Sequence, residues 1–123
     1  MAAPNLINAN TINGKTSTAN LTSNSATSLL SNAASSGKCL KVNVLNISNY
    51  GGSTVSFSVN YYNAAGIGGS PFPIIGSATV PSGTTINIID KSSQYYLEEN
   101  TSIGVIAATA NSICATCSYE EIS

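Results

Sequence analysis

The sequence predicts an all-β chain: a two-layer antiparallel β-sandwich, jelly-roll-like or immunoglobulin-like, preceded by an extended N-terminal arm. Three observations lead there. Short segments alternate apolar and polar residues with a period of two, and Asn/Ser/Gly/Pro clusters separate them. No stretch carries large apolar residues at helical spacing. Seven or eight such strands in 123 residues make one domain with one core. A lone sheet of that length would leave an apolar face wet, so two facing sheets are the economical arrangement.

The arm comes first, as residues 1–36, and the sandwich follows as residues 37–123. Asn, Ser, Thr and Ala dominate the arm, with one short strand at Ala19 and Leu21 and another at Ala26, Ser28 and Leu30. It is expected to lie against a neighbouring subunit, so removing residues 1–30 should leave a folded β domain. After Gly37, Leu40, Val42 and Val44 alternate with Lys41 and Asn43. Leu45 and Ile47 then take the other parity, which requires a β-bulge or a strand apolar on both faces. Val55, Phe57, Val59 and Tyr61 form the cleanest strand, with Thr54, Ser56, Ser58 and Asn60 opposite.

Asn63 to Pro73 reads as an irregular loop or edge segment, because Pro71 and Pro73 lack the amide hydrogens a central strand needs. Ile74, Gly76, Ala78 and Val80 resume the alternation, and Pro81-Ser82-Gly83 turns the chain into Ile86 and Ile88. Tyr95 and Leu97 lead to a polar turn over residues 98–101. Ile103, Val105 and Ala107 form the next strand, and Ile113, Ala115, Cys117 and Tyr119 the last.

Charge excludes whole classes of partner. Four lysines, no arginine and five acidic residues give a net charge of −1 and a charged fraction of 7%. Nucleic-acid binding has almost no cations to use. The longest weakly polar run, Ile103 to Ala110, is too short to cross a bilayer, so no membrane partner is expected. Met1 to Asn10 has neither the basic nor the apolar region of a targeting signal. A surface so neutral fits a protein covered by its neighbours.

The residues that carry most enzyme chemistry are missing. There is no histidine, hence no ordinary triad and no commonest metal ligand. Cys114-Ala115-Thr116-Cys117 has redox-motif spacing, but in a strand residues three apart face opposite sides. Glu98-Glu99 and Glu120-Glu121 read as a solvated turn and chain end, or as halves of an intersubunit ion pair with Lys38 or Lys91. No enzymatic activity, cofactor or metal is expected. The candidate interface residues are Leu21, Leu30, Tyr62, Ile67 and Phe72, with Tyr50, Tyr61, Tyr62, Tyr95 and Tyr96 as possible stacking faces for a carbohydrate.

Five stretches carry a resemblance. They are NTINGKT (10–16), NAASSGK (32–38), YLEENTSIGV (96–105), AATAN (107–111) and CSYEEIS (117–123). Together they resemble small virion structural proteins of tailed bacteriophages, especially contractile-tailed phages of cyanobacteria. That resemblance implies a virion location after synthesis in the bacterial cytoplasm, with other virion proteins (major capsid protein, or neck and tail subunits) as partners, besides self-association. The expected function is a capsid decoration or cement protein on the outer head. The alternatives are a neck, tail or fibre-associated structural protein, or a carbohydrate-binding module for host attachment.

Overall fold

The computed structural model describes residues 6–123. The first five residues of the expected arm lie outside them. Among the described residues a short 3₁₀ turn (Leu6–Asn8) precedes nine strands: β1 (Ile12–Asn20), β2 (Thr27–Asn32), β3 (Cys39–Asn49), β4 (Val55–Ala64), β5 (Gly68–Val80), β6 (Thr85–Ile89), β7 (Tyr95–Leu97), β8 (Thr101–Ala107) and β9 (Ile113–Ile122). A second 3₁₀ turn, Ala65–Ile67, links β4 to β5.

The strands form two antiparallel sheets. The first runs β1-β9-β3-β6, with β7 pairing β3 farther along; the second runs β2-β8-β4-β5. Because β9 occupies one side of β3 throughout, β6 and β7 together form one interrupted edge on the other side. Taken so, the order is that of an eight-stranded jelly roll, in which the chain repeatedly crosses between sheets. The two-layer antiparallel sandwich read from the sequence is therefore the fold, in its jelly-roll form.

Alternation explains the packing. In β3, Leu40, Val42, Leu45 and Ile47 point inward, and the change of parity falls at a register shift between Val42 and Val44. Asn43 is the extra residue of that bulge. From the other sheet, Val55, Phe57 and Val59 of β4 and Ile103, Val105 and Ala107 of β8 meet them. These chains fill the space between layers in the staggered way that sandwiches require.

The segment expected as a separate arm is, from residue 12 onward, part of the sandwich. Its residues 12–32 supply the edge strand of each sheet, β1 on β9 and β2 on β8. Leu21, Leu29 and Leu30 belong to the core, and Leu21 is wholly inaccessible. Its polar composition hid this, because an edge strand needs few apolar residues: β1 turns only Ser17 and Ala19 partly inward. Pro71 and Pro73 are tolerated in β5 for the same reason, since β5 is the outer strand of its sheet.

Candidate interaction surface: an open sheet edge and an uncharged face

Many polar side chains in the turns and at the strand ends are spent inside the protomer. Asn49 donates to the carbonyls of Ser53 and Val80, at 2.8 and 2.9 Å, and accepts from the Gly51 amide. Asn32 donates to the carbonyls of Lys38 and Leu97. The three successive amides of the Ala65–Ile67 turn donate to Asn100 Oδ1, Ser31 Oγ and Ser102 Oγ, at 2.9–3.0 Å. Each of these would otherwise be a dehydrated or loosely held loop group.

That last clamp places two of the expected interface residues. It folds Ile67 onto the outer side of the second sheet, beside Tyr62 and over Gly104. Tyr62 is buried by this cover, against an expectation from strand parity alone that it would face solvent. Leu21 and Leu30 lie in the core. Phe72 is 52% exposed. The five residues do not converge on one patch.

Charges gather at one end of the first sheet. Glu121 bridges Lys15 and Lys38, at 3.2 and 3.3 Å, and Glu120 pairs with Lys41 and accepts from Asn43. Burial pushes the Glu121 carboxyl up, but hydrogen bonds and charge from Lys15 and Lys38 outweigh it and hold the group below its usual range. Glu120 and Glu121, expected as a solvated chain end or as half of an intersubunit ion pair, are thus engaged by lysines of their own chain, Lys38 among them. Glu99 accepts from the Gly37 amide at 2.7 Å, tying the β2–β3 turn to the β7–β8 turn.

The three thiols are free and separate. Cys114 and Cys117 face opposite sides of β9, as their spacing in a strand requires. Cys39 pairs in register with Ile122 and Cys114 with Ser48, so those two sit at opposite ends of the β3–β9 ladder, far beyond bridging distance. Burial pushes the Cys117 thiol up to about 11, and burial followed by the Glu98 charge also raises Cys39. Among the described residues no group of three His, Cys, Asp or Glu side chains could hold a metal ion. No helix there is long and apolar enough to cross a membrane.

The sheet edges differ in how they are guarded. β5 carries two prolines and three register shifts against β4. β2 is short and bulged between Ser28 and Leu30, and the β6/β7 edge is interrupted. Bulges, prolines and short length all prevent strand addition. β1 has none of these: it is nine residues long, contains no proline and pairs with β9 without a register shift. Its one lysine, Lys15, is engaged by Glu121.

The direction of its backbone groups follows from one pair. Thr11 and Ser123 exchange both backbone hydrogen bonds, each 2.9 Å. Bonded and non-bonded pairs alternate in an antiparallel ladder. Asn13, Lys15, Ser17 and Ala19 therefore bond to β9, and the N–H and C=O groups of Ile12, Gly14, Thr16, Thr18 and Asn20 point to the free side. Ser17 Oγ donates to the Leu29 carbonyl of β2 at 2.7 Å and holds the two edge strands together at that point.

No protein-family model and no curated protein sequence matches the chain. Among solved structures the chain is similar to one from the Bacillus endospore appendages, described as forming a novel family of disulfide-linked pili. That likeness has a TM-score of 0.54 at 10% identity and covers 92% of this chain and 88% of the other. At such identity it speaks for a shared β-sandwich fold spanning nearly the whole of both chains. It also corrects the expected virion location and the bacteriophage terms that went with it, since the similar structure belongs to a bacterial appendage and no capsid or tail partner finds support.

Proposed function

We propose that the chain is a non-catalytic structural subunit that associates with further copies of itself into an extracellular, appendage-like assembly, joined through the free edge of β1. The observation that carries this reading is the unguarded β1 ladder. Its outward N–H and C=O groups offer a regular template to which an extended strand of a second copy can pair. The neutral surface supports it, since a net charge of −1 gives little repulsion between copies. The similarity to a pilus-forming chain supports the filamentous and extracellular parts of the reading, in preference to decoration of a closed shell. Many weak contacts along such a row make a lasting one.

Proline at position 16 tests this. The Thr16 amide points away from β9, so Thr16→Pro removes a donor from the free edge and leaves the β9 ladder whole. By light scattering and electron microscopy the natural chain is expected to form oligomers or filaments, while Thr16→Pro stays folded and monomeric. Assembly that is equal in the two proteins, or a natural chain that stays monomeric at every concentration, overturns the reading.

A further inference from the structure

The first sheet turns one face to the core and the other outward. Beyond the charged end the outward face presents a grid of short hydroxyl and amide side chains. One row crosses four strands as Thr18, Thr116, Asn46 and Asn87, and the next sets Asn20, Ser48 and Thr85 around Cys114. None of these seven polar side chains hydrogen-bonds to another described residue, unlike Asn49 and Asn100. No formal charge falls in either row. Exposed tyrosines border the field: Tyr96, beside Lys41 on β7, is 45% accessible, and Tyr50, directly after β3, is 54% accessible. Lys41 to Tyr50 along an extended strand is about 30 Å.

We propose that this face binds a neutral polysaccharide. Open donors and acceptors without charge match a polyol, which brings many hydroxyls and no ions. The flanking rings supply the apolar stacking surface that sugars use. An anionic polymer finds no free cation in the rows. A protein partner fits poorly too, because protein interfaces are built on a central apolar cluster and are depleted in serine. Here only Val44 and Cys114 are apolar near the centre. Single sites of this kind are weak, and a row of copies facing one polymer multiplies them. The face is complete in one copy, so the proposal does not depend on assembly through β1.

The test is co-sedimentation of the natural chain with insoluble cellulose, chitin, starch and curdlan, with polygalacturonate as the charged control. Binding to at least one neutral polymer and none to the polygalacturonate is expected. Thr116→Lys and Asn87→Lys should each reduce that binding at least tenfold, and Tyr96→Ala severalfold. Thr79→Lys, exposed on β5 of the other sheet, should leave it unchanged. Circular dichroism checks folding, and Asn87, exposed on an edge strand, tolerates the change if Thr116 does not. Failure to bind any neutral polymer overturns the proposal. So does binding that the face variants leave intact, and so does a change in oligomer size in place of polymer binding, which would make the face a contact between copies. Thr16→Pro should still bind as a monomer, separating this outcome from failure of the assembly reading.

Discussion

Glycine at position 104 shows how one residue decides a local structure. It lies in β8 opposite Asn60, on the outer side of the second sheet, where the Ala65–Ile67 turn folds down. A Cβ there would come within 2.7 Å of Ile67 Cγ2, 3.0 Å of Tyr62 Cε1 and 3.2 Å of the Thr27 carbonyl oxygen. The last is backbone and cannot step aside. Gly104→Ala should therefore destabilise the fold by about 1–3 kcal/mol, the usual cost of overpacking, read as a lower urea midpoint at unchanged slope. Nothing in the alternation of β8 announces this contact, because the covering residue lies 37 positions earlier in the chain. The cysteines were legible, since a strand assignment alone separates Cys114 from Cys117.

Their burial adds a pH dependence. The folded Cys117 thiol ionises near 11, above an exposed thiol. Between the two values the unfolded chain has lost its proton and the folded chain has not, so stability falls as pH rises through that window. The loss is up to about 3 kcal/mol, and it should vanish in Cys117→Ala, whose remaining titrating groups are the same. Denaturation at pH 8 and pH 11 on both proteins measures the difference.

At the level of elements, the central strands and the β5 and β6 edges were readable, and the two N-terminal edges were not read as part of the sandwich. β3, β4, β8 and β9 announce themselves because burial on one face forces apolar residues into every second position. Even the bulge at Asn43 shows as a slip in that alternation. β1 gives no such signal, because its pattern of exposed residues carries almost no core. The segment expected as a separable arm is, for that reason, two structural edges. Deleting residues 1–30 removes β1, two-thirds of β2 and the core residues Leu21, Leu29 and Leu30. A single buried Leu→Ala costs 2–5 kcal/mol, and whole domains hold only about 5–15. The truncated chain should show no cooperative melting transition; a native-like β spectrum with a sharp transition would restore the arm as a separate unit.

For the whole molecule, the jelly-roll crossings matter more than any one contact. The chain crosses between the sheets at every connection except β4–β5 and β6–β7, so the first and last strands end up side by side, and β1 is left as the long, regular outer strand. Period and turns could indicate two layers, but they hold no information on strand order, since every strand offers the same kind of edge. Beyond its neutrality and the bordering Tyr50 and Tyr96, the candidate surface was therefore invisible in the sequence. Only the assembled sheet shows that Thr16 and Thr18 direct their amides outward and that Thr18, Thr116, Asn46 and Asn87 share a row.

Amide hydrogen exchange along β1 tests whether copies join through its free edge. In the dispersed protomer, Asn13, Lys15, Ser17 and Ala19 should exchange slowly and Gly14, Thr16 and Thr18 quickly. On assembly the second set should become as protected as the first. Unchanged fast exchange at Gly14, Thr16 and Thr18 in assembled material would show that copies do not join through this edge.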